Sequence, residues 1–237
     1  MELSEAAALG RWVEPARSAM RDSSERLIRG MVEDLEPVTP LPRLRSAFAM
    51  ILSLWAVLLG VVLWSQDGPS AMGALAADRV YLAAFAGLVV ASVGGTISAL
   101  AAGTPGRERI EVWGMLLALF GLVVAAAACL VAMNAPDADA LAAPMGADGM
   151  CFRGGALLAL LPGGVILSLL VRGWALHPVR ASLLALAASG SLGSVIVHMS
   201  CGIVAPAHVL VGHLGVPVVL AALGGYPLVV ILQRLRG

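Results

Sequence analysis

The chain has 237 residues, of which 59% are hydrophobic and 13% are charged, and its formal net charge is zero. A soluble domain carries about 25% charged residues, so this composition excludes a soluble globular protein and indicates an integral membrane protein. The balanced charge and the lack of a basic block also argue against a nucleic-acid-binding surface.

The first 45 residues form a polar arm before the first long apolar segment. The arm lacks the short apolar core of a secretion signal, so we expect it to stay in the cytoplasm. Between Pro15 and Pro37 the apolar residues recur at helical spacing, which predicts an amphipathic helix, followed by a proline-rich linker to Arg45. The candidate partner-binding residues on its apolar stripe are Leu27, Ile28, Met31, Val32 and Leu35.

The charge of this arm bears on what its helix contacts. The arm contains eight acidic residues and seven arginines, so it is nearly neutral. A helix that lies on a bilayer usually has a cationic polar face. Docking in the groove of a partner protein is therefore favoured, while packing on the bilayer or on the protein's own loops stays open.

Residues 46–237 contain six windows close to the roughly 20 apolar residues that a membrane-spanning helix needs. The sequence therefore predicts an all-α fold, a six-helix transmembrane bundle that follows the cytoplasmic arm of residues 1–45. We expect a kink at Pro162 in the fourth span and an irregular turn near Pro206 before the sixth. The predicted spans are Ala47–Trp64, Val80–Ala102, Val112–Met133, Gly155–Val171, Ala181–His198 and Val209–Leu232.

Arginine placement predicts the direction of these spans. With the N-terminus in the cytoplasm, thirteen of the fifteen basic residues fall in inner segments, and only Arg79 and Arg153 fall in outer loops. Cytoplasmic segments carry the excess of basic residues in membrane proteins. We therefore expect both termini to be cytoplasmic in a multi-pass protein of the bacterial inner membrane.

Small residues recur at every fourth position in the second span. Such residues allow helices to approach closely in a membrane, where apolar side chains gain little by leaving lipid. We expect this ridge and the pair Gly190 and Ser194 in the fifth span to lie at helix contacts. The ridge consists of Gly87, Ala91, Gly95, Ala99 and Gly103.

This topology collects most of the cysteines and histidines at the outer face. Three interpretations stay open there: a structural disulfide between Cys151 and Cys201, a thiol sensor, and a site for a transition-metal ion. The candidate metal ligands are His198, Cys201, His208 and His213. A regular helix would separate His208 from His213 by about 140°, which weakens the metal interpretation.

Several function classes lack their usual residues. The chain has no Cys-x-x-Cys pair for thiol exchange and no carboxylate after Asp148 to assist a zinc hydrolase, so we expect no enzyme activity. The spans carry almost no ionisable residues, which argues against a transporter. A membrane protein that binds metal, or haem between His198 and His213, or a thiol-redox protein, each without a role in transcription, is the alternative.

Four segments resemble the NrsF family, the negative regulators of sigma factor F. "LIRGMVEDLEPVTPLPRLR" precedes the first span as in that family, and "MCFRGGALLALLP" resembles its cysteine followed by a proline-containing helix. "GSLGSVIVHMSC" is similar to its small-residue helix that ends in histidine and cysteine. "PAHVLVGHLGVPVVLAALGGYPLVVILQRLR" continues the similarity to the end of the chain.

The resemblance implies an anti-sigma factor. Members of that family hold an extracytoplasmic-function sigma factor at the inner membrane and release it under heavy-metal or oxidative stress. By position, the two cysteines that the family needs for sensing are Cys151 and Cys201. The resemblance implies no resident cofactor, with a transition-metal ion as one form of the signal.

Overall fold

The computed structural model describes residues 22–33, 41–65, 73, 77–134, 147–173 and 175–236. The chain divides into two units, Met1–Pro40 and Leu41–Gly237. In the first unit, residues 22–33 form helix α1, which is the described part of the helix expected between Pro15 and Pro37. Its side chains are exposed, while Leu35 and most of the linker lie outside the described residues.

The second unit contains six long helices in its described residues, which confirms the predicted all-helical fold. All six are long and apolar enough to cross a membrane. The last, α7, starts with one α-helical turn at Pro206–His208, passes through a π-helical segment at Val209–Leu214, and continues as an α-helix over Gly215–Arg236. The other five are α2 (Leu44–Ser65), α3 (Arg79–Ala102), α4 (Glu108–Met133), α5 (Ala147–Arg172) and α6 (Pro178–Ser200).

Helix α5 differs most from its predicted bounds. It begins at Ala147 rather than at Gly155 and continues through Pro162. The prediction started late because Arg153 and the glycines around it lower the local hydropathy, although they do not interrupt the helix. As a consequence, Cys151 lies inside the helix, where its position is fixed by the backbone.

Helix α6 is the central element of the bundle and the most buried of the six. It contacts α2, α3, α5 and α7. Its many alanine, glycine and serine residues let these neighbours approach on every side. A polar contact adds to this packing, because the Trp55 indole Nε1 of α2 donates a hydrogen bond of 3.0 Å to the Leu192 carbonyl of α6.

The predicted small-residue ridge of α3 lies at helix contacts. A Cβ atom added at Gly87 would lie 2.6 Å from the Gly121 carbonyl oxygen of α4 and 2.8 Å from the Cβ of Ala125. A Cβ at Gly95 would lie 3.1 Å from the Cα of Ala188 in α6. A Cβ at Gly103 would lie 3.0 Å from the Cδ2 of Leu170 in α5, so different positions of the ridge pack on α4, α6 and α5.

The helices alternate in direction, so their termini collect at two ends of the bundle. One end, which we call the cysteine end, contains Tyr81, Cys151, Cys201, His208 and His213, and the other, which we call the arginine end, contains Glu111 and Arg180. At the arginine end the Arg180 guanidinium Nε of α6 lies 2.5 Å from the Glu111 carboxylate of α4. Glu111 is buried.

Candidate thiol and metal site

Two cysteines meet at the cysteine end of the bundle. Cys151 lies in the second turn of α5, and Cys201 follows the last residue of α6 with an extended backbone. Their sulfur atoms are 3.6 Å apart and are not joined by a disulfide. A disulfide has an S–S length of about 2.05 Å, so the two residues form an adjacent thiol pair in this structure.

The π-helical segment brings His208 and His213 to the same place. Hydrogen bonds in a π-helix join residues five apart, so positions that a regular α-helix would separate lie in successive turns on one side. The two imidazole centroids are 5.1 Å apart in an edge-to-face arrangement. The expectation that the five-residue spacing would separate these histidines is therefore wrong, because α7 is not α-helical between Val209 and Leu214.

Pro217 and Ser194 account for part of this irregular backbone. Proline has no backbone N–H, so Pro217 cannot donate the α-helical bond to the carbonyl of His213, four residues earlier. The Ser194 hydroxyl of α6 donates a hydrogen bond of 2.7 Å to that carbonyl instead. Helix α6 thus supports the backbone of the segment that carries both histidines.

His198 lies next to this group but makes different contacts. Its Nδ1 is 2.7 Å from Nδ1 of His213, and its Nε2 is 3.1 Å from the backbone carbonyl oxygen of Tyr81. Both imidazole nitrogens are therefore engaged in hydrogen bonds. This arrangement does not favour the alternative of a haem between His198 and His213, because both nitrogens of His198 are engaged.

Tyr81 connects α3 to the end of α6. Its hydroxyl lies 2.5 Å from the carbonyl oxygen of His198 and 2.6 Å from that of Cys201, so its single proton serves two acceptors. Its ring stacks on the imidazole of His198 with a centroid distance of 3.8 Å. Tyr81 therefore fixes both the backbone that precedes Cys201 and the ring that supports His213.

Four side chains are arranged as metal ligands. One ligand atom from each of Cys151, Cys201, His208 and His213 lies within 4.8 Å of the other three. Cys151 is partly buried, and the other three are buried. Of the metal ligands predicted from the sequence, the structure brings together Cys201, His208 and His213 and adds Cys151. His198 is not part of this group and contacts it through His213.

Cys201 has the environment of a reactive thiol. The hydrogen bond from Cys151 is the main cause that lowers the pKa of Cys201, and the nearby His213 adds to it, while burial acts in the opposite direction. The lowered pKa favours the thiolate, which is the form that attacks electrophiles and binds metals. Cys129 differs, because it is buried in an apolar cluster with Leu88 and Val195 and is not part of the four-residue group.

Two parts of this site are not predicted by the sequence patterns. Tyr81 lies near the start of the predicted second span, where an aromatic hydroxyl at the depth of the histidines is a signal for a buried hydrogen bond. The π-helical segment was missed because apolar periodicity assumes 3.6 residues per turn. The glycine and proline residues in "VLVGHLGVP" are the local signal for irregular backbone.

Most of the chain matches a known protein family. Residues 31–234 match the family described as NrsF, negative regulator of sigma F. The chain belongs to this family. No curated protein and no solved structure matches it. The match includes the end of α1 and all four residues of the thiol and histidine group, and the family name implies a sigma factor as partner.

Proposed function

We propose that this protein is an anti-sigma factor of the bacterial inner membrane that sequesters an extracytoplasmic-function sigma factor. It releases the sigma factor when its cysteine end meets a metal ion or an oxidant. The family match over residues 31–234 is the observation that carries this proposal. The protein acts by binding rather than by catalysis, and its six apolar helices keep it in the lipid bilayer.

Helix α1 supplies the surface that holds the sigma factor. Leu27, Ile28, Met31 and Val32 are between 58% and 66% exposed, so four large apolar side chains lie uncovered on one helix. A stripe of this kind fits an apolar groove on a partner protein. Leu35, which would extend the stripe by one turn, lies outside the described residues.

The distribution of charge supports the sidedness of this proposal. Arg107, Arg109, Arg172 and Arg180 all lie at the helix termini of the arginine end. The positive-inside tendency places that end, and with it the N-terminal arm, in the cytoplasm. The cysteine end then lies in the periplasm, where metals and oxidants are met before they reach the cytoplasm.

Two kinds of signal fit the adjacent thiols of Cys151 and Cys201. In the first, the pair forms a disulfide, and two protons and two electrons pass to a periplasmic disulfide oxidant, which is reduced to two thiols. In the second, the thiolates bind a metal ion. The sulfur atoms of Cys151 and Cys201 are 3.6 Å apart. Either reaction therefore changes the contact between the start of α5 and the end of α6.

The required free energy favours the metal. To move a two-state equilibrium from about 1:99 to 99:1 takes roughly 5.5 kcal/mol of differential stabilisation. A disulfide that closes a loop of this length contributes at most about 4 kcal/mol, and less where the thiols are already held together. Ligation by thiolates can exceed about 10 kcal/mol. A metal ion can therefore drive a complete switch, whereas a disulfide alone gives a graded response.

A second candidate function is a membrane protein that binds metal without a role in transcription. The group of four ligand atoms within 4.8 Å favours it, because such a site needs no sigma factor to bind its ion. The two candidates differ in what α1 does. Only the anti-sigma factor needs the exposed stripe of Leu27, Ile28, Met31 and Val32.

Capture of the sigma factor tests the proposal. The full chain, extracted from membranes in detergent, is expected to retain a co-expressed extracytoplasmic-function sigma factor of its own cell, and a Leu27→Asp/Met31→Asp variant is expected to lose it. Glu33→Ala on the opposite side of α1 is the matched control and is expected to retain it. If the full chain captures no sigma factor, or if the double variant captures it equally well, the proposed function is wrong.

A further inference from the structure

We propose that Cys151, Cys201, His208 and His213 form a four-coordinate site for a divalent cation of the zinc class, and that His198 prepares this site without binding the ion. This inference rests on the proposed function, since it names the signal that the cysteine end detects. It also assigns different roles to two neighbouring histidines that the sequence does not distinguish.

The distances between the ligand atoms approach those of a tetrahedral site. With Zn–S bonds of about 2.3 Å and Zn–N bonds of about 2.0 Å, the sulfur atoms of a tetrahedron lie about 3.8 Å apart and sulfur lies about 3.5 Å from nitrogen. The structure has 3.6 Å between Cys151 and Cys201 and 3.3 Å between Cys201 Sγ and His208 Nε2. All four atoms lie within 4.8 Å of one another, so the widest pair must close by about 1 Å, which side-chain rotation can supply.

A hydrogen-bond chain determines which nitrogen of His213 is available. The carbonyl oxygen of Tyr81 can only accept, so the Nε2 of His198 must carry a proton and donate to it. His198 is completely buried, and among the described residues none of its hydrogen bonds goes to a carboxylate, so it is neutral. Its Nδ1 is then an acceptor, and the Nδ1 of His213 donates to it. His213 is left with an unprotonated Nε2.

That Nε2 atom is the second indication of a ligand. It is buried and no group among the described residues meets it with regular hydrogen-bond geometry, although His213 is close enough to the Cys201 thiol to lower its pKa. His213 as a whole is 0% exposed. Buried polar atoms are nearly always paired, because an unpaired one keeps the full cost of its desolvation. Histidine ligands of metals commonly donate their other ring N–H to a fixed acceptor, as His213 does to His198. A bound cation gives the lone pair the partner that it lacks.

The charge and softness of the donors select the class of ion. Two thiolates and two neutral imidazoles neutralise a cation of charge +2, so the buried site has no net charge once it is filled. On binding, each sulfur gains a bond to the metal, and any proton that it still carries passes to solvent. Sulfur and imidazole donors disfavour magnesium and calcium, which take oxygen ligands, and a closed set of four favours the tetrahedral geometry of zinc.

The origin of the ligands explains how an ion would act on the bundle. Cys151 belongs to α5, Cys201 follows α6, and the two histidines belong to α7. One bound ion would therefore link three helices directly. Through His198 the same site touches Tyr81 of α3. Ion binding at this single point thus bears on the packing of four helices.

Cobalt(II) titration of the reduced full chain in detergent is the test, with zinc added as competitor. We expect one Co²⁺ per chain, with the strong visible bands of a tetrahedral site and sulfur-to-cobalt charge-transfer absorption, all displaced by Zn²⁺. His208→Ala and Cys151→Ser are expected to weaken binding at least tenfold and to change the spectrum. Weak octahedral bands, or an absence of sulfur charge transfer in the folded protein, would overturn the proposal.

His198 variants test its role as a positioning residue. His198→Leu removes the acceptor for His213 and is expected to weaken Co²⁺ binding by about 10- to 100-fold with the same spectrum. His198→Gln supplies an acceptor oxygen and is expected to recover part of the affinity. A changed spectrum in His198→Leu, or unchanged affinity, contradicts the assigned role. Cys129→Ser and the exposed, distant His177→Ala are matched controls that should bind as the natural chain does.

The result separates this inference from the anti-sigma function. If Co²⁺ and Zn²⁺ do not bind while the full chain still captures its sigma factor, the cation site is wrong and the regulator stands. If the ions bind as expected but the sigma factor is not captured, the site stands and the regulatory role is wrong. Unfolding temperatures of the metal-free variants show whether a loss of binding comes from a loss of fold.

Discussion

The two ends of the bundle hold their helices together by different chemistry. At the cysteine end, α3, α5, α6 and α7 meet through thiols, buried imidazoles and one tyrosine hydroxyl. At the arginine end, α4 and α6 meet through the pair of Glu111 and Arg180. One end can therefore respond to soft ligands and oxidants, while the other responds to neither.

Between these ends, the helices are held together by close packing of small residues. Disrupting this packing should have the largest effect on stability. Gly87→Val places side-chain atoms where a Cβ already lies 2.6 Å from the Gly121 carbonyl oxygen. We expect a loss of about 2 to 3 kcal/mol or failure to fold, because the contact is with backbone that cannot move aside. Thermal unfolding in detergent measures this. Gly60→Val in α2, with nothing within 4 Å of the added Cβ, should be nearly neutral.

The next largest effect is expected at the cysteine end from Tyr81→Phe. The variant keeps the ring that stacks on His198 but leaves the carbonyls of His198 and Cys201 without their shared donor. A loss of about 1 to 3 kcal/mol is expected, since buried acceptors lose their partner. We also expect faster maleimide labelling of Cys201. Tyr226→Phe is the control, because Tyr226 is 79% exposed, and equal stability of both variants would show that the Tyr81 hydroxyl does not hold this end.

The smallest effect is expected at the arginine end. Glu111→Gln removes the charge that faces Arg180, whose side chain is 39% exposed, so solvent screens the loss and we expect about 1 kcal/mol or less. Glu108→Gln, on an exposed neighbour, should cost still less. Co²⁺ affinity at the cysteine end is expected to stay unchanged in both variants. A shifted Co²⁺ affinity in Glu111→Gln would show that the two ends are coupled through α6.

The number of spans and their approximate bounds could be predicted from sequence because hydropathy and helix length reflect the same bilayer thickness. The prediction was weakest where polar residues continue a helix, as in α5, which begins at Ala147. Small residues at every fourth position of α3 identified true contacts, because helices in a membrane associate mainly through close packing and gain little from burying apolar side chains. Periodicity could not tell which neighbour each glycine meets, and Gly87 and Gly95 face different helices.

The candidate site was predictable in its residue types but not in its geometry. The predicted direction of the spans already places Cys151, Cys201, His208 and His213 at the same end of the bundle. Their convergence depends on the π-helical segment at Val209–Leu214, which no regular period reveals. The separate role of His198 depends on one hydrogen bond to the Tyr81 carbonyl, between residues far apart in sequence.

Sidedness is the central claim, and cysteine labelling in intact cells tests it most directly. A variant with Cys151 as its single thiol is reduced and treated with a membrane-impermeant maleimide, beside a second variant whose single thiol is Ser24→Cys in α1. The account predicts that Cys151 reacts in intact cells and that the α1 thiol reacts only after the membrane is opened. The reverse pattern, or reaction of both thiols from the same side, would contradict it.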